Sequence, residues 1–205
     1  MPEEKKLTRA EQKTLRPLQI LEAAFEEFVK NGYSAARVED VADRVGVTKG
    51  TVYVYFETKE KLFEAMIQHI STPFKEVLET SVTLKGRSAE RLQQFLELLY
   101  DQLVDDRKTR ELLRFVIAEG ARFPDLIDRH HREFIAPILK KIQEILDEGA
   151  AAKEFPQKPA EFADVTMAPA LAMVIIRLIF DDRHTMDRRT FRSEHLKMVL
   201  KGLTG

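Results

Sequence analysis

Lys49, Gly50, Thr51, Tyr53 and Tyr55 fall within seven consecutive positions and offer one cation, one hydroxyl, two phenols and a glycine. Such a set suits a phosphate backbone and base edges. The ammonium and hydroxyl groups donate to phosphate oxygens, and the glycine lets the main chain approach closely. Covalent chemistry finds no comparable constellation. Cysteine is absent, which excludes disulfides and thiolate chemistry and agrees with a reducing cytoplasm. His130-His131 raises metal binding, and Asp128-x-x-His131 and Asp181-x-x-His184 come nearest to the Glu-x-x-His pairs of helical di-iron proteins. Two supporting glutamates at the right register are not evident, so no metal, cofactor or catalytic residue is assigned.

The elements that must position the 49–55 set are legible around it. Val38, Val41, Ala42 and Val45 recur at i, i+3, i+4 and i+7, the spacing of one buried helical face. Gly46 follows directly and supplies the left-handed conformation that closes a helix, leaving Val47 free to point inward. Thr48 then caps a second helix, and Thr58 caps a third whose first turn carries Lys59 and Glu60. Small Ala42 allows the pair to cross closely, with Val47 and Val52 filling the angle. Any corner between two helices could show a glycine between valine-rich segments. The match here is longer.

G-Y at 32–33, V-E-D-V-A at 38–42, G-V-T-K-G-T-V-Y at 46–53, Y-F at 55–56 and K-E-K-L at 59–62 together resemble the DNA-binding domain of the TetR/AcrR family of bacterial regulators. The resemblance is specific over about residues 16 to 62. Further on, LLRFVIAEGARFPDLIDRHHREF resembles the ligand-binding domain of an AcrR-like or AefR-like branch. It implies a homodimer that sets two recognition helices in successive major grooves, and an apolar effector that moves them apart. DNA contacts are then implied at Lys49, Gly50, Thr51, Tyr53, Tyr55 and Lys59, with Val38 and Thr48 beside them. Where the family usually carries threonine or serine, this chain has Ala36 and Arg37. An arginine opposes the dipole at a helix start, so that start is expected to be weak and Arg37 to serve phosphate or groove contact. Glu39 either accepts from a cytosine amino group or offsets Arg37 and the dipole; the second reading is favoured.

Composition bounds the rest. A chain of 205 residues fits one or two domains and can bury a core without staples. Net charge is -1 with 33% charged residues, so DNA affinity must come from local placement. MPEEKKLTRAEQKTLR is polar, lacks the apolar core of a secretory signal, and reads as a mobile arm. The apolar run from Phe162 to Phe180 approaches the ~20 residues a bilayer needs. It carries Asp164, Pro169 and Arg177 and has no second span beside it, so it reads as a buried interface helix and no membrane partner is expected.

An amphipathic first helix through Leu18, Ile20, Leu21, Ala24, Phe25 and Phe28 ends near Asn31-Gly32 and covers the paired helices. The fourth helix runs through Leu62, Phe63, Met66 and Ile70 toward Pro73 and links the head to the remainder of the chain. Beyond residue 86 the pattern is helical throughout. Ser88 caps one helix, Pro124 opens another that Pro137 should kink, Pro159 opens the apolar one, and Phe191 to Leu203 form the last. The fold class is all-α, with an N-terminal three-helix helix-turn-helix domain (1–62) ahead of a larger helical effector-binding and dimerisation bundle (63–205).

A pocket for a small lipophilic effector would draw on Phe95, Leu99, Leu103, Phe115, Phe123, His130, Phe134, Met167 and Met173. For any one of these, plain core packing is the competing reading. Arg177 should pair with Asp164 or Asp181, or across the dimer, or else serve as an anion site for the ligand. Dimerisation is expected through Pro159–Phe180 and Asp187–Leu203, on a near-palindromic operator with half-sites ~34–36 Å apart or a multiple. The expected function is a ligand-released repressor. A constitutive DNA-binding dimer without effector and an all-α metal-binding enzyme are the rivals.

Overall fold

The computed structural model describes residues 9–104, 106–155, 162–180, 183 and 187–204, with backbone alone for 9–12 and 204. Among the described residues every regular element is helical, as the sequence predicts. The chain divides into two units, Met1–His69 and Ile70–Gly205.

The first unit contains α1 (Arg9–Ala35), α2 (Val38–Val45), α3 (Lys49–Tyr55) and α4 (Lys59–Ile70), which ends at the division. The expected arm is helical from Arg9 onward; residues 1–8 lie outside the described residues. Gly32, at φ 69° and ψ 171°, interrupts α1 where its end is predicted, and this break lets Tyr33 turn back into the core. Tyr33 stacks on Phe28 at 5.9 Å, and Phe63 meets both rings edge-on at 5.0 and 5.1 Å. Leu62, Phe63 and Met66 are all buried, so α4 belongs to this core for nearly its whole length. The division expected after Leu62 therefore falls inside a packed helix.

The second unit starts with α5 (Thr72–Ser81), a helix opened by Pro73 that the sequence pattern does not single out. Next come α6 (Ser88–Leu99) and α7 (Arg107–Glu119), with a π-helical stretch, Tyr100–Val104, prolonging α6. Arg87, not Ser88, stands before α6, and its N–H donates to Glu90 at 3.0 Å. The Asp106 carboxylate accepts from the Thr109 N–H at 2.6 Å and caps α7. Beyond these lie α8 (Pro124–His130), a second π-helical stretch (His131–Ile135), and α9 (Ala136–Ala151). Pro137, expected to kink a longer helix, stands in the first turn of α9 directly after this π-helical stretch: proline lacks an N–H and crowds the carbonyl four residues earlier, and a wider turn relieves both.

The last described helices are α10 (Ala163–Phe180) and α11 (Arg188–Thr204). Pro159, expected to open α10, lies outside the described residues. α9 runs past Gly149, where the Phe155 ring packs so closely that a side chain could not fit. The core of this unit includes Leu92, Phe95, Leu96, Phe134, Ile138, Ile142 and Leu146.

Candidate functional site

Gly46 closes α2 at φ 72° and ψ 39°, and the Val47 N–H donates to Ala42 O at 3.0 Å. This left-handed turn fixes the angle at which α3 leaves. Thr48 caps α3 by accepting from the Thr51 N–H at 3.1 Å, and the two hydroxyls lie 2.9 Å apart. Val52 is buried beneath α3, which leaves Lys49 and Gly50 exposed and Thr51, Tyr53 and Tyr55 half-buried around it. Each of the five predicted contact residues is therefore at least partly accessible, and they are spread around α3 on every side but that of Val52. Val54, 80% exposed on the same helix, was not among the expected contacts, and its methyl groups suit a thymine methyl in the major groove. An apolar residue beside the buried Val52 on so short a helix was the signal for it.

Val38 is a correction. It is 4% exposed, so its side chain lies in the core rather than on a contact surface, as its place on the 38/41/42/45 stripe requires. Glu39 pairs with Lys49, whose ammonium donates to its carboxylate at 2.6 Å. That bond is the chief reason the Glu39 carboxyl titrates below its usual range and the Lys49 ammonium above its own. Lys49 also lies 5.6 Å from the centre of the Tyr53 ring. Lys59 donates to Ser34 O at 3.2 Å and sits 4.8 Å from the Tyr33 ring centre, so the end of α1 holds it at the surface.

Arg37 is exposed and makes no side-chain cap for α2. The cap comes from α1. Glu27, only 2% exposed, accepts from the Arg37 N–H at 3.4 Å and from Asn31 Nδ2 at 2.6 Å, and lies 3.8 Å from the Arg44 guanidinium. A buried carboxylate at this end also complements the helix dipole. The weak helix start expected at Ala36-Arg37 is thereby braced, and the Arg37 guanidinium is left at the surface.

The second unit contains a partly open cavity of about 460 Å³. Four of the expected pocket residues line it: Leu99, Leu103, His130 and Met167. Phe95 and Phe134 are fully buried in the closed core, Phe115 is buried and Phe123 half-buried, and none of these four reaches the cavity. Met173 instead lines a wider groove beside α11. Arg177 is not part of the cavity wall and donates to Val104 O at 3.0 Å, at the end of the first π-helical stretch. It does not pair with Asp164, while Asp181 lies outside the described residues. The wall also includes Leu112, Leu113 and Val116 of α7 and Ala168, Ala170 and Val174 of α10. Small residues inside the apolar 162–180 run were the available signal, since they leave room that larger side chains would fill.

Both π-helical stretches contribute to this wall, through Leu103 and Val104 in one and Ile135 in the other. His130 is buried and its Nδ1 lies 3.2 Å from Ser71 Oγ, with the Phe74 ring edge-on at 5.6 Å. Burial pushes its pKa down to about 4; His131 adds to the shift and Glu133 opposes it. At neutral pH it is uncharged. A second buried network fastens the first π-helical stretch to α10 and α11. His195 Nε2 is 3.0 Å from Thr166 O, a group that can only accept, so His195 Nδ1 accepts from the Tyr100 hydroxyl at 2.8 Å. Burial raises the Tyr100 phenol to about 12, with Arg192 opposing.

Among the described residues no three of His, Cys, Asp or Glu converge as metal ligands; Asp181 and His184 lie outside them. α10 is long and apolar enough to cross a bilayer, yet only 28% of it is buried within the chain. The expected burial of this helix is thus not met by the chain alone: Val165, Leu171, Ile179 and Phe180 are exposed, as is Met198 on α11.

The family described as bacterial regulatory proteins, tetR family, matches residues 20–66, from the middle of α1 into α4. The HTH-type transcriptional regulator YhgD of Bacillus subtilis is 28% identical over 197 residues, spanning 90% of this chain and 95% of its own. The fatty acid metabolism regulator protein of the same organism is 27% identical over 136 residues, 66% of each chain. Among solved structures, FadR of Bacillus subtilis in complex with stearoyl-CoA superposes with a TM-score of 0.72 at 21% identity, covering 90% of this chain and 98% of that one. That likeness is one of fold.

Proposed function

We propose that this chain, which belongs to the tetR family of bacterial regulators and is a DNA-binding transcriptional regulator rather than an enzyme, acts as a repressor that a lipophilic effector releases from its operator. The observation that carries the reading is the α3 face, where Lys49, Gly50 and Val54 are exposed on a helix whose angle the Gly46 turn fixes. Phosphate contacts come from Lys49, Lys59 and Arg37, and base edges are read by Thr51, Val54, Tyr53 and Tyr55.

The exposed apolar residues of α10, with Met198 of α11, support a homodimer through the last two helices. Pairing of two heads implies a near-palindromic operator with half-sites ~34–36 Å apart or a multiple. The apolar cavity supports an effector of lipophilic character, as does similarity to a fatty acid metabolism regulator and to a structure holding stearoyl-CoA. Such a protein works in the cytoplasm, where its DNA is. No cofactor is invoked.

Selection of bound sequences from random DNA, followed by a screen for compounds that release them, tests the whole reading. A near-palindrome and at least one releasing lipophile are expected. Monomeric sedimentation at micromolar concentration, or absence of sequence-selective binding, would overturn it. A constitutive dimer is separated by thermal shift, because a ligand at a hundredfold over its dissociation constant adds ~2.7 kcal/mol to native-state stability.

A further inference from the structure

The charges around the cavity restrict what can enter it. Among the described residues its wall contains no lysine or arginine, and its one acidic side chain is Asp164, in the first turn of α10. His130, neutral at physiological pH, adds no positive charge. An anion placed here would lose its hydration without gaining a counter-charge, and Asp164 would repel it. Lipophilic anions are therefore poor occupants.

One residue of the wall, Thr109, carries a hydroxyl that has no partner among the described residues and is turned away from the accessible space. The Thr109 hydroxyl is sealed from solvent in a residue 7% exposed, and among the described residues no group bonds its Oγ1, although the Thr109 N–H is held by Asp106. Threonine on a helix occupies two χ1 rotamers, and rotation between them exchanges its hydroxyl and methyl at the wall. A buried hydroxyl left without an acceptor is destabilising, and a carbonyl oxygen brought into the cavity relieves that. Leu112, Leu113 and Val116, on the same helix, provide an apolar surface beside it.

We infer that the cavity selects an uncharged lipophile bearing a carbonyl, such as an ester or another neutral acyl derivative, with Thr109 as the hydrogen-bond donor, and that it rejects the free carboxylate. This rests on the effector-binding reading above and specifies its ligand class. Selectivity comes from missing positive charge as much as from the donor present. The neutral head finds a partner at Thr109, whereas a carboxylate finds one hydrogen bond and no cation.

Calorimetric titration of the full-length protein at pH 7.5 with methyl laurate, laurate and dodecylamine, each below its aggregation concentration, tests this. Methyl laurate should bind at least roughly tenfold tighter than laurate. Thr109→Val, which keeps the side-chain shape, should weaken the ester by roughly five- to tenfold while leaving the melting temperature equal or higher. Equal or tighter binding of laurate overturns the inference. So does tightest binding of dodecylamine lost in Asp164→Asn, which would make the site cationic in preference, and so does ester binding unchanged in Thr109→Val. If none of the three binds but another lipophile releases operator DNA, the inference fails and the regulator reading stands. If the ester binds as expected but no DNA is recognised, the regulator reading fails instead.

Discussion

In the head, most of the candidate contact groups sit within one seven-residue helix, at least partly exposed, with Arg37 and Lys59 flanking it in the chain. In the second unit, the cavity wall is gathered from α5 through α10, including both π-helical stretches, and its groups face inward. A surface site depends on its core only for placement. A cavity is walled by side chains of the core itself, so the same change acts on stability and on binding together. Substitution in each unit should therefore separate the two activities in one case and merge them in the other.

The largest expected effect tests whether the units are separable. Phe28 is buried and lies against both Tyr33 and Phe63. Phe28→Ala should cost about 3–5 kcal/mol, enough to unfold much of the head. Operator binding, followed by fluorescence anisotropy, should be lost, while thermal shift by a cavity ligand persists. Loss of both would show that the two units fold as one and would remove the basis of the comparison.

Acid should act more strongly on the second unit than on the head. His130 titrates at about 4 when folded and near 6.5 in the unfolded chain. Between those values the unfolded state holds a proton that the native state does not, so stability falls as pH drops from about 6.5 toward 4. His195, whose pKa burial also lowers, acts in the same direction. The His130 contribution is on the order of 2–3 kcal/mol. Urea unfolding at pH 7 and pH 5 should show the loss, and His130→Phe should reduce it. An unchanged pH slope in that variant would assign the acid response to other groups.

The same contrast governs how much the sequence discloses. The Gly46 turn, the Thr48 cap and the faces of α2 and α3 follow from local spacing, because each is decided by residues within about four positions of one another. Val38 was misplaced only because it served two readings at once, and periodicity settles it inward. The Glu27 brace was not legible, since Glu27 and Arg37 are ten positions apart and meet only once Gly32 breaks α1. The cavity was half legible for a similar reason. Apolar stripes mark which residues are buried, but not which of them border space: Phe95 and Leu99 share a stripe on α6, and only Leu99 reaches the wall. Thr109 and Asp164 carry no pattern that identifies them as wall residues.

Glu27 offers a sharper test within the head, because it is a buried charge that serves a surface site indirectly. Glu27→Gln retains shape and removes the charge facing Arg44 and the α2 dipole. The expected loss is about 1–3 kcal/mol of stability, read from the urea midpoint. Operator affinity of the folded fraction should change little, since no contact group is altered. A large affinity loss at full folding would mean that the brace sets the angle of α2, and that placement in the head is softer than its core indicates.

The smallest expected effect concerns the surface alone: the structure pairs Glu39 with Lys49 where an offset to Arg37 and the dipole was expected, and restraint of Lys49 and acceptance from a cytosine amino group predict opposite signs. The Glu39 carboxylate and the Lys49 ammonium are exposed, so solvent screens their pairing and folding stability should not change in Glu39→Gln. Near DNA the pairing has a different consequence. It holds the Lys49 charge against a carboxylate that phosphates repel, and the pair must open or carry its negative partner to the backbone. Removing that charge should raise operator affinity by roughly two- to fivefold and steepen the dependence on salt by up to about one unit of slope. If Glu39 instead accepts from a cytosine amino group, Glu39→Gln lowers affinity for the cognate operator and relaxes base preference at one position. Lys49→Ala weakens binding in both cases, so only the Glu39 variant distinguishes them. Anisotropy titrations at two salt concentrations, on the selected operator and on one with that base pair exchanged, read the sign directly. A rise shared by both operators assigns Glu39 to restraint of Lys49; a fall confined to the cognate one assigns it to the base.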